Sequence, residues 1–516
     1  MTVNCPSEYR LYRIEENTSG VSGTAVSSFF KRYNAVDWSF YNYCNFHRNV
    51  QSNASKMKQC YYDDLQNIKK NMKKQKNKEV ARTVNIVNST VGVVGENSGN
   101  VTINDANNKR KAHELEEEKD SEIEEETNVY AVNSSLRLLY PYIYQVYRGE
   151  DVDIKDIKSK YYGNTLQDII YKYCYESFTE YKSMSKLQRS YYHCHLPGII
   201  NCIHMNNNML INHILKKCID KALSNRALNV EEVDIRDHIA HLKNAYKVDG
   251  IEGLRLTIAK RKYEMMLGRK FQDVMVDEEY MILEMFEIML NEVAFGDCKN
   301  NTTEINYLNY WKNVLAVAFR GTEIKFRIEE STSASTKSDR MINEIEFGKA
   351  SIYISGRKID LIVETKSVNT KNMPITIELS NAEFKKMDAD DDFITIQQNK
   401  NIRTSKSILS SIFTLNSGEP VIGLDFVGLS GYLFSAQYLE SAVFITREAD
   451  VYLPGDTVDF DEFMDECEEV LALIFGYKNY IVKQAGAIDQ KCRVLLVAST
   501  EDSREYLPPT FYSPKR

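Results

Sequence analysis

GRKIDLIVETKSVNTKNMPITIELS, residues 356–380, contains the two strands on which the fold assignment depends. In GRKIDLIV, Lys358 and Asp360 share one face, and the aliphatic residues 359, 361 and 363 share the other. In PITIELS, Glu378 and Ser380 share a face opposite the aliphatic residues 375, 377 and 379. This alternation predicts two neighbouring strands, each carrying a carboxylate on its polar face.

Strand and helix patterns continue on both sides of this stretch. We interpret EFGKASIYI (346–354) as a strand before it and QQNKNIRTSKSILSSIF (397–413) as a helix after it. Three more strands follow in GEPVIGLDFVG, GYLFSAQYLE and SAVFITREADVYL, and an amphipathic helix follows in DFDEFMDECEEVLALIFGY. This order predicts an α/β domain over residues 321–482, followed by a C-terminal strand and tail over 483–516.

The preceding half of the chain has a different pattern. Segments such as EGLRLTIAKRKYEMML and EEYMILEMFEIMLNEVAF have apolar residues at three- and four-residue spacing, which predicts a helical domain over 128–320. Residues 69–127 combine a short β-like segment with charged runs, which is typical of a linker. Residues 1–68 are rich in Tyr, Phe and Asn, and we expect a small irregular or helical piece. The fold class is therefore α+β or α/β, with a helical middle domain before the α/β domain.

Composition limits the location and class of the protein. The net charge of −8 argues against a wholly basic nucleic-acid coat protein. The ten cysteines form no CxxC pair, and we find no secretion signal and no apolar stretch of roughly 18 residues. We therefore expect a nuclear or cytoplasmic protein with no membrane partner. Basic clusters at 69–78 and 109–111 are either a nuclear-import signal or part of a charged linker.

The two strands suggest metal chemistry. Carboxylates on neighbouring strands, Asp360 and Glu378, can meet at one point and bind a hard divalent cation such as Mg²⁺. Such an ion polarises a phosphate and activates water. All eight histidines lie at or before His241, which excludes a Ser-His-Asp or Cys-His mechanism built within the C-terminal domain.

The segments GRKIDL, ELSNAEFKK and QQNKNIRTSKSIL together resemble the PD-(D/E)XK nuclease superfamily, and more narrowly a degenerate fungal form of it. In that superfamily, an Asp on one strand is followed by Glu-x-Lys on the next. The resemblance covers about the C-terminal third of the chain. It implies a restriction-endonuclease-like core that uses Mg²⁺, with Asp360 and Glu378 as catalytic residues and metal ligands.

The sequence departs from that pattern at two positions. Ile359 precedes Asp360 where the pattern has Pro, and Ser380 stands two residues after Glu378 where the pattern has Lys. A serine hydroxyl cannot replace an ammonium group that positions water or offsets phosphate charge. The amine could come instead from Lys385 or its neighbour 386. Residues 383–385, Glu383-Phe384-Lys385, also form a Glu-x-Lys sequence and are a second candidate pair.

The helix that follows the second strand carries polar and basic side chains: Gln398, Lys400, Arg403 and Lys406. Lys400 and Arg403 are one turn apart and can form a basic edge that contacts nucleic-acid phosphates. The alternative is an ordinary solvated helix face.

Three functions follow from these patterns. The first is a metal-dependent nuclease that acts on DNA or RNA. The second is a catalytically inactive pseudo-nuclease that binds nucleic acid or protein, with Ser380 as the trace of lost activity. The third is a structural protein that self-associates through residues 1–127. The sequence identifies no protein partner.

Overall fold

The structure is a computed structural model that divides into two compact units, Met1–Phe46 with Lys56–Val132, and His47–Ser55 with Asn133–Arg516. The residues described are 29–30, 43, 60, 64, 136–150, 152, 165–203, 219–220, 223–224, 230, 232–295, 303–348, 354–368, 372–413, 415, 418–454, 460–497, 507 and 509–513. In the first unit, the rings of Phe29 and Tyr43 make an edge contact at 5.4 Å. Most of the sequence-based predictions for 1–68, and all of those for 69–127, lie outside the described residues.

The helices that the structure describes in the second unit begin with a 3₁₀ turn, Leu136–Leu139. The α-helices are α1 (Tyr140–Tyr147), α2 (Leu166–Phe178), α3 (Lys186–His195), α4 (Arg236–Met266), α5 (Phe271–Met275), α6 (Glu278–Phe295), α7 (Glu304–Ala318), α8 (Ala334–Phe347), α9 (Asp391–Ile412) and α10 (Phe460–Val497). Thr165 and Ser185 begin α2 and α3 with capping boxes, in which side chains satisfy the first free N–H groups of each helix. Helix α4 is kinked at Gly250, whose φ of 65° suits glycine.

Seven strands among the described residues form one mixed sheet. The strands are β1 (Ile199–Asn201), β2 (Lys325–Thr332), β3 (Lys358–Val368), β4 (Pro374–Lys385), β5 (Val421–Val427), β6 (Ser430–Leu439) and β7 (Ala442–Tyr452), in the order β1-β7-β6-β5-β4-β3-β2. Strands β2, β3 and β4 are antiparallel neighbours, and β5, β6 and β7 are another antiparallel set. Strand β5 is parallel to β4, and helix α9 makes the crossover connection that a parallel pair requires.

Helices cover both faces of the sheet. The neighbouring β4 residues Ser380 and Asn381 point to opposite faces of the sheet. Ser380 accepts a hydrogen bond from Tyr477 of α10, so α10 covers one face. Asn381 donates to Asn401 of α9, so α9 covers the other face. On the α10 side, Trp311 of α7 packs at 4.2 Å from the ring of Phe426 in β5. The sheet is therefore the middle layer between α9 on one side and α7 with α10 on the other.

The structure corrects the expected domain layout. Residues of α4, α6 and α7 belong to the same hydrophobic core as strands β3 to β7, and β1 pairs with β7. Residues 133–516 thus belong to one compact unit, and position 320/321 does not separate two cores. The reason is that the apolar faces of the middle helices bury themselves against the sheet rather than only against each other.

Three element predictions also differ from the structure. Residues 346–347 end helix α8 rather than begin a strand, and the first strand of the antiparallel set is β2, which the sequence analysis missed. The last helix was expected over 459–477, but α10 continues to Val497, so residues 483–497 are helical rather than a strand. No described helix is long and apolar enough to cross a membrane.

Candidate active site

A lysine and two carboxylates meet where β3 begins and β4 ends. The Nζ atom of Lys385 lies 3.7 Å from Oδ2 of Asp360 and 3.9 Å from Oε2 of Glu383. Oδ2 of Asp360 also accepts a hydrogen bond from the backbone N–H of Phe384 at 2.8 Å. Asp360, Glu383 and Lys385 therefore form one cluster, and the candidate pair Glu383-Phe384-Lys385 supplies its Glu-x-Lys.

The register of the strands explains this convergence. Leu361 of β3 pairs with Ala382 of β4, so Asp360 lies beside the next β4 residues, 383 and 384. Residues 383 and 385 are two apart on a strand and share a face. In the parallel neighbour β5, Glu383 pairs with Asp425, which brings a third carboxylate to the same region of the sheet.

Two further charged residues bound the cluster. Arg357, whose side chain is 12% exposed, donates from Nη2 to Oε1 of Glu383 at 2.8 Å. Nζ of Lys385 lies 3.3 Å from Oε1 of Glu304, the first residue of α7. Burial raises the pKa of Glu383 to about 7, although the charge of Arg357 acts in the opposite direction. A buried carboxylate with this pKa is typical of a functional site, but also of structural ion-pair networks.

Asp425 is held in a polar network on the α9 side of the sheet. Its Oδ2 accepts a hydrogen bond from the hydroxyl of Tyr432 at 2.8 Å, and Nδ2 of Asn401 lies 3.5 Å from its Oδ1. Gln398 of α9 donates to the Tyr432 oxygen. Burial raises the pKa of Asp425 to about 7. Asp425 therefore adds a carboxyl group that changes protonation near neutral pH.

Lys400 of α9 lies near the cluster, half-buried. Burial lowers the pKa of its ammonium group to about 8, and the positive charges of Arg357 and Arg403 act in the same direction. Nζ of Lys400 makes a 3.4 Å contact with Oε1 of Gln397. An anion near Lys400 would favour the charged form of its amine.

Glu378 is not part of the cluster, which corrects the expected convergence with Asp360. Glu378 pairs with Glu364 of β3. Glu364 is four residues beyond Asp360, so the two positions are about 13 Å apart along the strand at roughly 3.3 Å per residue. Its carboxylate accepts bonds from the N–H groups of Ala334 at 2.7 Å and Ser335 at 3.0 Å. Glu378 is thus an anion at the N-terminus of α8, where helix dipole and free N–H groups favour negative charge.

Ser380 does not occupy a lysine position in the cluster. Its hydroxyl donates to the carbonyl of Ile422 and accepts from the hydroxyl of Tyr477 at 2.8 Å, on the α10 side of the sheet. Val363 pairs with Ser380, and the next β3 residue, 364, pairs with Glu378. Leu379 is therefore an extra residue on β4, a β-bulge, and this explains why Ser380 and Glu378 face opposite sides of the sheet. The hydroxyl of Ser380 therefore lies on the opposite side of the sheet from the cluster.

The basic edge expected on α9 is largely enclosed. Arg403 and Lys406 are buried, and Gln398 is buried against Tyr432. Nη1 of Arg403 donates to the carbonyl of Phe511 in the C-terminal segment at 3.1 Å. Of the four expected phosphate contacts, only Lys400 is half-exposed beside the cluster, because both sides of α9 are covered by other parts of the chain.

The two carboxylates of the cluster could hold Mg²⁺ if water and substrate supply its other ligands. Among the described residues, no group of three or more His, Cys, Asp or Glu is arranged to hold a metal ion. Mg²⁺, however, commonly binds through one or two carboxylates and takes its other ligands from water and substrate phosphates. Asp360 and Glu383 can supply those two carboxylates. The cluster is thus compatible with an ion that the substrate helps to hold.

Sequence reasoning missed three residues of this region: Arg357, Asp425 and Glu304. A signal existed for Asp425, since it is the lone acid in the apolar strand VIGLDFV. An unpaired charge is rarely buried, so such a residue indicates a polar partner or a functional site. No sequence pattern marks Arg357 or Glu304 as a site residue. Arg357 precedes β3 and Glu304 begins α7, and only tertiary packing brings them to Glu383 and Lys385.

Comparisons with protein-family models, with curated proteins and with solved structures find no match to this chain.

Proposed function

We propose that this protein is a metal-dependent nuclease, with DNA or RNA as substrate, whose active residues are Asp360, Glu383 and Lys385. One observation carries the proposal: Nζ of Lys385 lies 3.7 Å from Asp360 and 3.9 Å from Glu383, on two paired strands. The resemblance to the PD-(D/E)XK superfamily supports it, since an Asp on one strand and Glu-x-Lys on the next is the pattern of that superfamily. In this proposal, Glu383 and Lys385 take the roles that were expected of Glu378 and of a lysine at position 380.

Each of these residues would have a separate role. Asp360 and Glu383 would hold the Mg²⁺ ion, which polarises the phosphate and lowers the pKa of a bound water. Lys385, enclosed with a side chain 7% exposed, would orient the attacking water and offset charge that develops on the phosphate. Lys400 would hold a neighbouring phosphate of the substrate by charge.

Arg357 and Glu304 set the charge balance of the cluster. Arg357 occupies one oxygen of Glu383, Oε1, and leaves Oε2 facing Lys385. The carboxylate of Glu304 forms an ion pair with Lys385, with Oε1 of Glu304 3.3 Å from Nζ of Lys385. Arg357 is therefore a positioning residue that orients the Glu383 carboxylate without contacting substrate.

The experiment is cleavage of labelled single- and double-stranded DNA and RNA with Mg²⁺, Mn²⁺ or EDTA. Asp360→Asn is compared with Asp234→Asn, an exposed aspartate paired with Arg236. We expect metal-dependent cleavage by the unmodified protein and by Asp234→Asn, and a loss of at least 100-fold in Asp360→Asn. Equal cleavage by the Asp360 and Asp234 variants would refute the proposal.

The second candidate is a pseudo-nuclease that binds nucleic acid or protein without cleaving it. The guanidinium of Arg357 favours it, because a fixed positive charge 2.8 Å from Glu383 Oε1 competes with a cation for that carboxylate. In this case the folded protein would bind labelled nucleic acid in EDTA as well as in Mg²⁺, and would cleave none of the four substrates.

A further inference from the structure

The C-terminal segment lies in a groove formed by α1, α8 and α9. Residues 509–512 are buried although they form neither helix nor strand. An extended segment has no backbone partners of its own, and its buried N–H and C=O groups must be satisfied by other groups. Here, side chains of the three helices provide the partners.

Helix α8 contacts both backbone groups of Thr510. Oδ2 of Asp339 accepts from the Thr510 N–H at 3.1 Å, and Nδ2 of Asn343 donates to the Thr510 carbonyl at 2.8 Å. Residues 339 and 343 are four apart, so they occupy one helix face and can reach both the N–H and the C=O of a single residue. This pair recognises an extended backbone rather than a particular side chain.

The neighbouring residues are held by the other two helices. The hydroxyl of Tyr140 in α1 donates to the Pro509 carbonyl at 3.2 Å, and Arg403 of α9 donates to the Phe511 carbonyl at 3.1 Å. Three consecutive carbonyls of the segment, 509 to 511, thus each accept a bond from a side chain of a different helix. Main-chain bonds of this kind give affinity for a peptide independently of its sequence.

Two side-chain pockets add sequence preference. Phe511 is fully buried and lies with its ring centroid 5.0 Å from those of Tyr140 and His193. The guanidinium groups of Arg340 and Arg403 lie 5.4 Å and 5.6 Å from the centroid of the Tyr512 ring. Aromatic and cation–π contacts of this geometry select an aromatic pair at these positions.

Hydroxyl groups complete the recognition at one residue of α9. Oγ of Ser407 bonds to Thr510 Oγ1 at 2.9 Å and to the Tyr512 hydroxyl at 2.8 Å. It also donates to the buried carboxylate of Asp339 at 2.6 Å. Removing the segment would leave these buried polar groups of the groove without several of their partners, which is unfavourable.

The sequence of the segment, LPPTFYSPKR over 507–516, is suited to such a groove. Proline restricts φ and favours extended conformations, so the segment loses less conformational entropy on binding than a flexible tail would. Preorganisation of this kind increases affinity without additional contacts.

We propose that this groove is a recognition site for extended peptides of the form Pro-Thr-Phe-Tyr, and that the C-terminal segment of this chain is its resident ligand. The segment is exchangeable, so the same peptide added in trans competes for the groove. This proposal does not depend on nuclease activity, because none of the contacts named above involves Asp360, Glu383 or Lys385.

The test uses the full chain with Phe511→Asp, which places a charge in the aromatic pocket and releases the segment. A fluorescein-labelled LPPTFYSPKR peptide is titrated into this variant and into the unmodified protein, with anisotropy as the readout. We expect saturable binding to the variant that is at least tenfold tighter than to the unmodified protein, whose groove is occupied. A peptide with alanine in place of phenylalanine should bind the variant at least tenfold more weakly.

A second change, Asn343→Ala in the Phe511→Asp background, removes the bond to the Thr510 carbonyl and should weaken binding further. Should Phe511→Asp fail to fold by circular dichroism, Phe511→Ala takes its place in every comparison. Binding of the peptide to neither protein, equal binding to both, or equal binding of the alanine peptide would overturn the proposal.

Discussion

Replacing Glu378 by glutamine should destabilise the fold strongly, whereas replacing Asp360 by asparagine should affect mainly catalysis. The Glu378 side chain is 2% exposed and accepts from the N–H groups of Ala334 and Ser335, from the Ser333 hydroxyl at 2.8 Å and from Arg327 at 2.8 Å. An amide has one acceptor oxygen and one NH₂ group, so at least one of these donors would face another donor.

The magnitude follows from these contacts. A hydrogen bond to a charged group contributes about 1.5–3 kcal/mol, and a buried donor left without a partner costs about 1–3 kcal/mol. Loss of the anion at the N-terminus of α8 adds about 0.3–1 kcal/mol. Arg327 is partly exposed and keeps its ion pair with Glu364 at 3.0 Å, so its contribution is small. We therefore expect a loss of about 3 kcal/mol for Glu378→Gln.

Asp360→Asn should cost about 1 kcal/mol or less. The asparagine Oδ1 can still accept the Phe384 N–H, and the Asp360 side chain is partly exposed. The change also removes a negative charge that opposes ionisation of Glu383.

The assay is equilibrium urea unfolding followed by circular dichroism at neutral pH in EDTA, beside a cleavage assay of each variant in Mg²⁺. A loss of about 3 kcal/mol reduces the folded-to-unfolded ratio by roughly two orders of magnitude, which this assay resolves readily. The reasoning is refuted if Glu378→Gln is as stable as the unmodified protein and has lost cleavage, because Glu378 would then belong to the active site.

Three further predictions concern the cluster and its surroundings. Ser380→Lys should lose about 3 kcal/mol or more of stability and gain no cleavage, because the Ser380 side chain is fully buried against Tyr477. Thermal unfolding measures the loss of stability. A variant that is stable and more active would contradict this prediction. The folded pKa of Asp425, about 7, lies above its unfolded value, so the stability that this group contributes is present in acid and is lost as the pH rises through 7. Urea unfolding at pH 5 and 8 should therefore show that Asp425→Asn gains stability relative to the unmodified protein as the pH rises; an unchanged difference would contradict the assignment. Lys385→Met should lower the cleavage rate at least 100-fold while the circular dichroism spectrum is retained, with Lys400→Met as the milder control; equal effects of the two changes would mean that Lys385 has no special role.

The sequence by itself determined much of the local structure. Periodicity identified α6, and also the strands around Asp360 and Glu378, because apolar spacing directly reflects which face of an element is buried. It also identified Asp360 and, as an alternative, the sequence Glu383-Phe384-Lys385. These are local features, and each depends only on residues a few positions apart.

The tertiary structure decided which of the candidate carboxylates meet. The antiparallel register of β3 and β4 places Asp360 beside the later part of β4. The extra residue Leu379 shifts that register by one, which separates the faces of Glu378 and Ser380. Regular alternation cannot predict a bulge, because a bulge is set by pairing with a distant strand. The same holds for the C-terminal segment that covers Arg403: its partners lie on helices up to about 370 residues away in the chain, and only the packed fold brings them together.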